Sequence, residues 1–468
     1  MENIKIENVV IGAGPGGYVA AIKLAQLGKE VLVIEKEKLG GVCLNVGCIP
    51  SKALINAAHV VDTIHIAQEM GFSVSTGEKL IDMDRLQVWK NKIVKKLVDG
   101  IGTLFKLNKV KHIMGNAVFK DKNHIEVTNS EGTITVEFNN IIIATGSSAI
   151  EIPGFKFDEQ KILSSTGALD LNQVPKNLVV VGGGYIGLEI GTYLLKLGAK
   201  INIVEATANL LPASDPELVA VVVRKLKKNG ANIMLETKAK SAKIDGDNVE
   251  VTVVTKTGEE QIINADYVMV TVGRRPNSKD LGLENLGIEI DHGFIKVNKK
   301  MQTNIPNIYA IGDVVGGYML AHKASKEGIV VAEVIAGHKT ELDFYAMPSV
   351  VFTDPEIASV GITEKEAAAK GIKAKVGKFP FAALGKALAS GESDGFVKVV
   401  INEETQELLG LHIVGHEASS LISEGALAIE MGATAEDIAL TIHPHPTLPE
   451  GIMEAAEAAM GKAIHIIN

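Results

Sequence analysis

One pattern occurs twice in this chain. Residues 9–35 read VVIGAGPGGYVAAIKLAQLGKEVLVIE, and residues 179–205 read VVVGGGYIGLEIGTYLLKLGAKINIVE. A single offset of 170 places Gly12 on Gly182, Gly14 on Gly184, Gly17 on Gly187, Gly28 on Gly198 and Glu35 on Glu205. Each copy is an apolar strand, a G-x-G-x-x-G turn, an amphipathic helix, a glycine stop and a second apolar strand ending in Glu. That order is the dinucleotide-binding βαβ unit with its full context. The first glycine permits the tight turn, the second lets the backbone approach a pyrophosphate, and the third lets helix pack on strand. The helix N-terminus then meets the pyrophosphate with its N–H groups and dipole. The terminal Glu is placed to accept hydrogen bonds from ribose hydroxyls.

Two such units imply two dinucleotides. The simplest pair is a flavin and a nicotinamide, because a hydride must pass from one to the other. Only two of the 468 residues are cysteine, and both follow the first unit closely, in GGVCLNVGCIPSK at residues 40–52. A cysteine pair beside a flavin exchanges electrons with it. FAD is therefore assigned to residues 12–35 and NAD to residues 182–205. Glu205 repels a 2′-phosphate, and the following Ala206-Thr207-Ala208-Asn209 offers no arginine to bind one, so NAD is expected over NADP.

In a regular helix, Cys43 and Cys48 would have Cα atoms ~8–9 Å apart, beyond the ~7 Å limit for a disulfide. Pairing therefore requires a departure from the helix, which Gly47 permits. From about Pro50, SKALINAAHVVDTIHIAQEM reads as a helix, which puts Cys48 near its N-terminus, where the dipole favours a thiolate. The competing reading is two small buried hydrophobes. Two cysteines alone make a poor zinc site, and no metal is expected.

GGVCLNVGCIPSK resembles the redox-active segment of the flavoprotein disulfide reductases. Further family motifs follow in order: IIIATGSS at 141–148, TVGRRPN at 271–277, IYAIGDV at 308–314 and HPHPTLPE at 443–450. The resemblance covers essentially the whole chain. One departure is Val42, where the family usually has threonine. The resemblance implies that Cys43 exchanges with the substrate sulfur and that Cys48 lies against the flavin. It implies that Lys52, one helical turn on, approaches the flavin N5 edge with Glu189 as its partner. On the FAD side it also implies Asp313 at the ribityl chain, Ala321 near the pyrimidine and Ala117 at the adenine. On the NAD side it implies Ala239 and Gly273 as backbone contacts. His445, oriented by Glu450 on a proline-rich segment, is implied as the acid–base group, reaching the disulfide from the partner subunit of a homodimer. The activity implied is oxidation of protein-bound dihydrolipoamide to lipoamide with reduction of NAD⁺. The lipoyl group would be carried by another protein, an acyltransferase or a glycine-cleavage H protein, because no lipoyl domain precedes residue 1. Relatives acting on glutathione fit less well, because Glu205 disfavours NADPH. Relatives acting on mercuric ion end in a cysteine pair, whereas this chain ends GKAIHIIN. A reading of another class, a redox sensor without turnover, is disfavoured by the retained His445 and Glu450.

The fold expected is α/β, with two Rossmann-like dinucleotide-binding domains and a C-terminal α+β dimerisation domain. Residues 1–147 form the first part of the FAD domain, 148–275 the NAD domain, 276–345 the returning part of the FAD domain, and 346–468 the dimerisation domain. A net charge of −9 argues against a nucleic-acid partner. No run of 18 apolar residues spans a membrane. The N-terminus enters a strand at once, which leaves no room for a signal peptide, so a cytoplasmic location is expected.

Overall fold

The computed structural model describes residues 3–73 and 81–467, and strands and sheets are counted among these. The chain divides into two compact units. One comprises Met1–Leu54, Asp84–Ile150 and Gly273–Asp343; the other comprises Ile55–Met83, Glu151–Val272 and Phe344–Asn468. The segment expected to bind NAD and the C-terminal segment share the second unit.

The first unit is built on a seven-stranded mixed sheet. Strands Lys111–Met114, Val31–Glu35, Asn3–Ile11 and Gly132–Ile143 run parallel, and Ile308–Ala310 adds to the last of them. His124–Asn129 and Asn116–Phe119 extend the sheet antiparallel. Val9, Val10, Val31, Val33 and Ile34 are all buried. Their unbroken apolar runs reflect a parallel sheet covered on both faces. Helices Pro15–Gln26 and Ala321–Ile335 pack closely against each other, since a Cβ on Gly328 would stand 2.6 Å from the Gly16 carbonyl oxygen. The long helix expected after the cysteines runs Cys48–Glu69, and a second long helix runs Met83–Leu107.

The second unit holds a five-stranded parallel sheet ordered Asn232–Met234, Lys200–Val204, Asn177–Val181, Tyr267–Val270 and Ile162–Leu163. A three-stranded antiparallel sheet covers Lys238–Ala265. The C-terminal part is a five-stranded antiparallel sheet ordered Ser349–Val351, Glu356–Gly361, Leu408–Gly415, Phe396–Asn402 and Ala374–Pro380. Helices Ala418–Glu430 and Glu450–Ala459 bury Leu421, Ile422, Ile452 and Ala455 in its core.

A charged cage ties the two main sheets of this unit together. The fully buried Lys398 places Nζ 2.6 Å from carboxylate oxygens of Asp215, Glu217 and Glu364. Burial alone would pull this lysine down, but the three carboxylates hold it above its ordinary range. Asp215 also caps helix Pro216–Lys228 by accepting the Glu217 N–H at 2.9 Å. Lys398→Met leaves the buried Asp215 without its cation, so we expect a loss of about 3 kcal/mol, read as a lower urea midpoint. Acid should weaken the same cage. Lys378, then Lys398, hold Glu217 below its ordinary range, so its contribution is present above the unfolded pKa of ~4.3 and is lost as pH falls through the folded one. A Lys398→Met midpoint equal to that of the parent would show that the cage does not hold the unit.

Candidate active site

Both glycine turns adopt the conformations their roles demand. Gly12 and Gly182 have φ of 100° and 104°, in the region that excludes other residues. A Cβ on Gly17 would lie 1.9 Å from the Gly12 carbonyl oxygen, and one on Gly187 would lie 2.5 Å from that of Gly182. Gly14 and Gly184 are the N-caps of helices Pro15–Gln26 and Tyr185–Lys196, and neither helix start carries a side-chain cap. The space around a Cβ at Gly184 is open to 4 Å. Two uncapped helix N-termini behind glycine turns fit pyrophosphates.

The terminal carboxylates are engaged identically in the two copies. Glu35 accepts the Ala13 N–H at 2.7 Å and the Glu37 N–H at 2.8 Å. Glu205 accepts the Gly183 N–H at 2.6 Å and the Thr207 N–H at 2.7 Å. Each carboxylate is thereby fixed in direction, with lone pairs remaining for ribose hydroxyls. The parallel extends one strand further. The Gly115 N–H bonds the Glu35 carbonyl at 2.8 Å, and Ala117 follows two residues later. The Thr237 N–H bonds the Glu205 carbonyl at 2.9 Å, and Ala239 follows two residues later. Ala117 and Ala239 thus hold equivalent positions at the two turns. Gly273 has φ 128° and its carbonyl accepts the Ile150 N–H at 3.2 Å.

The cysteine segment is pinned to the first turn by the Gly40 N–H, which bonds the Ala13 carbonyl at 2.8 Å. Residues Gly41–Val46 form a short helix, Gly47 breaks it at φ −139° and ψ −111°, and a new helix starts at Cys48. The break falls at the expected glycine, but the second helix begins two residues before Pro50. Its first turn tolerates Pro50, whose missing N–H would have had no helical partner there. Both cysteines are thiols, Cys43 half-buried and Cys48 exposed, and their side chains are hydrogen-bonded to each other. The bond to Cys48, then burial, push the Cys43 thiol far above its ordinary range. Cys48 stands at a helix N-terminus, a position whose dipole favours a thiolate. The reading of two buried small hydrophobes does not hold, since Cys48 is exposed. Lys52 is half-buried on the same helix as Cys48. Glu189, in the other unit, is buried and accepts the Phe352 N–H at 3.0 Å.

Asp313 stands on a single helical turn, Gly312–Val315, just beyond strand Ile308–Ala310. Its carboxylate accepts the Ser147 hydroxyl, and that hydroxyl accepts Arg274 Nε at 2.7 Å. The turn is fixed from below by the buried Glu327, which accepts the Gly312 N–H at 2.7 Å and pairs with Lys323 at 2.8 Å. The sequence by itself gives Ser147, Arg274, Lys323 and Glu327 no separate role. The motifs IIIATGSS and TVGRRPN contain two of them, and that was their only signal. Ala321 is the first residue of helix Ala321–Ile335, whose N-terminus again has no side-chain cap.

His445 places Nδ1 2.7 Å from Glu450 Oε1, while Glu450 Oε2 accepts the Thr447 N–H at 2.7 Å. Burial pushes the Glu450 carboxyl up, but Thr447 and His445 outweigh it and hold the carboxyl below its ordinary range. The His445 side chain is 78% exposed. His443 is held separately, with Nε2 2.9 Å from Glu424 on helix Ala418–Glu430. Apolar side chains stay exposed on this part of the chain, among them Leu427, Met431, Leu440 and Ile442.

The pyridine nucleotide-disulphide oxidoreductase family matches residues 7–328, and its dimerisation domain matches residues 347–456. The chain belongs to this family. Among its relatives, the dihydrolipoyl dehydrogenase of Geobacillus stearothermophilus is 52% identical over 466 residues, covering 99% of this chain and 98% of that protein. The dihydrolipoyl dehydrogenase of Bacillus subtilis is 50% identical over 468 residues, with the same coverage of 99% and 98%. Among solved structures, LpdA from Mycobacterium tuberculosis superposes with a TM-score of 0.90 at 27% identity, covering 97% of this chain and 99% of that one. This member of the oxidoreductase family oxidises dihydrolipoamide and reduces NAD⁺, with FAD as its second cofactor. The dimerisation domain fits a homodimer. No helix among the described residues is long and apolar enough to cross a membrane.

Proposed function

We propose that Cys43 and Cys48 form the disulfide that takes two electrons from dihydrolipoamide carried on a lipoyl-bearing domain of another protein, an acyltransferase or a glycine-cleavage H protein. The observation that carries this reading is the hydrogen-bonded thiol pair at the Gly47 break, tied to the first dinucleotide turn. The substrate thiolate attacks Cys43 Sγ, the Cys43–Cys48 bond breaks, and Cys48 leaves as a thiolate. The second substrate thiolate then attacks the sulfur attached to Cys43, which releases lipoamide and leaves Cys43 reduced. His445 takes a substrate proton on Nε2, while Glu450 holds Nδ1 and balances the imidazolium charge. FAD, held at the first dinucleotide turn, would supply the two-electron relay between the dithiol and NAD⁺. The sum is dithiol plus NAD⁺ giving disulfide, NADH and one proton.

The remaining roles follow from position. Gly12, Gly14, Gly17, Glu35, Ala117, Asp313 and Ala321 hold FAD. Gly182, Gly184, Gly187, Glu205, Ala239 and Gly273 hold NAD. Lys52, on the helix that starts at Cys48, places a positive charge toward the flavin. His445 serves the partner subunit's disulfide, a reading supported by its exposed ring and by its place in the segment that the dimerisation-domain family matches. We place the reaction in the cytoplasm, where NAD⁺ and lipoyl carriers meet.

Alkylation tests the division of roles. After anaerobic reduction with dihydrolipoamide, the holoenzyme should take up one label rapidly, on Cys43. Label confined to Cys48 would reverse the assignment. The cofactor reading predicts a preference for NAD⁺ over NADP⁺ of at least about 10²-fold in kcat/KM, from repulsion between Glu205 and a 2′-phosphate. Glu205→Ala should narrow that ratio by tenfold or more. Equal use of both cofactors by the parent would contradict it.

A further inference from the structure

The Cys48 helix carries a second set of chemically active groups farther along. His59 lies eleven residues beyond Cys48, a rise of roughly 16 Å. Its neighbours come from the C-terminal part of the same unit. Glu392 follows helix Gly385–Ser390, and His416 follows strand Leu408–Gly415. One ligand atom from each of His59, Glu392 and His416 lies within 4.8 Å of the others. The dehydrogenase reaction uses none of the three.

The arrangement has the shape of a chelate. Four donors at ~2.1 Å around one tetrahedral ion stand about 3.4 Å apart, so closing this set takes a shift of about 1 Å, within reach of side-chain rotation. The two imidazole rings are nearly parallel, at 17°, with centroids 5.6 Å apart. Two imidazoles sharing one tetrahedral ion hold their centroids about 5 Å apart. His59 Nε2 is 3.7 Å from Glu392 Oε1, so this nitrogen faces the donor set. Its other nitrogen, Nδ1, is 3.9 Å from Asp62 Oδ2, one helical turn away. At 3.9 Å the two are not hydrogen-bonded, and Asp62 Oδ2 is already 2.5 Å from Lys196 Nζ, so Asp62 would orient a ligating His59 only after a rotation like the one that closes the set. Carboxylates gather around the set. Lys196 bridges Asp62 and Asp354 at 2.5 and 2.6 Å, and Glu392 adds a third carboxylate. None of the three ligand residues is fully exposed.

We propose that His59, His416 and Glu392 form a binding site for a divalent transition-metal ion, with Asp62 positioning His59. Two imidazoles and one carboxylate select the class of ion that favours nitrogen, such as Zn²⁺, over Mg²⁺ or Ca²⁺. A water or a bound anion completes the coordination. A filled site fastens the middle of the Cys48 helix to the C-terminal sheet.

Zn²⁺ is the suitable probe, because it is redox-silent toward thiols and flavin. The oxidised, FAD-loaded dimer, stripped with chelator, is titrated calorimetrically with Zn²⁺. One ion per chain is expected, with affinity reduced at least about 100-fold in His59→Gln or His416→Gln and about 10-fold or more in Asp62→Asn. Zn²⁺ should also raise the thermal midpoint of the parent and leave that of His59→Gln unmoved. Flavin absorbance reports whether each variant has folded. If His416→Gln fails to fold, His59→Gln and Glu392→Gln carry the same test. A parent that binds no Zn²⁺ overturns the proposal. So do histidine variants that bind as the parent does, and so does a single Zn²⁺ that is lost in His445→Gln but kept in His59→Gln.

Discussion

Cys43→Ser and Cys48→Ser are each expected to lower NAD⁺-linked oxidation of dihydrolipoamide by at least about 10³-fold, because either change removes one half of the only exchangeable disulfide. A serine oxygen forms no mixed disulfide, so the substrate sulfur has nowhere to go. The structure supplies a control within each variant. Reduction of a dye by NADH needs both dinucleotides but neither thiol, so that activity should persist. The two variants should also differ from each other. With Cys43 replaced, Cys48 keeps its place at the helix N-terminus and its thiolate character, and a long-wavelength absorption band from a thiolate beside oxidised flavin is expected without reductant. With Cys48 replaced, the band should be absent. A band in Cys48→Ser alone would exchange the two roles.

His445→Gln is expected to cost about 10²–10⁴-fold in kcat, the usual range for removal of a general base. Glu450→Gln keeps the shape but loses the charge, and a smaller loss of about 10–10²-fold is expected. Glu450 is held below its ordinary range by Thr447 and His445 despite its burial, so it stays a carboxylate across neutral pH. Symmetry makes a stronger test available. Heterodimers of a Cys43→Ser chain and a His445→Gln chain should contain one intact composite site and one doubly altered site. Such dimers should recover about half of parental activity if His445 serves its partner, by counting sites under two-fold symmetry. If His445 serves its own chain, every site carries one lesion and the heterodimer stays as inactive as either parent variant.

Much of this was legible because it is local. The glycines of the two turns announce their positive φ and close approaches through spacing alone, and both copies fold alike. The break between the cysteines falls at Gly47, the residue that allowed it. Local rules were less exact about where the helix resumes. Cys48 and Ile49 join the first turn because Pro50 is tolerated there. Nothing in the sequence signals that Glu35 and Glu205 are each clamped by two backbone amides, since one of each pair comes from a turn 22 residues upstream and the other from two residues downstream. Long-range clusters were not legible at all. Ser147, Arg274 and Asp313 meet across more than a hundred residues of chain, and Lys398 gathers Asp215, Glu217 and Glu364 from two different sheets' surroundings. No periodicity encodes such meetings, because each depends on how finished elements pack. The same holds for His59, which reads as an ordinary helix residue until Glu392 and His416 arrive beside it.

The central claim is that a dithiol's electrons reach NAD⁺ through the Cys43–Cys48 pair. It is tested most directly by following dihydrolipoamide and NAD⁺ with the purified, FAD-loaded protein, before and after alkylation of the reduced enzyme. The account predicts one NADH per lipoamide formed, steady turnover, and loss of that turnover once Cys43 is alkylated, with dye reduction by NADH intact. Unchanged dihydrolipoamide oxidation by a chain with both cysteines blocked would contradict it.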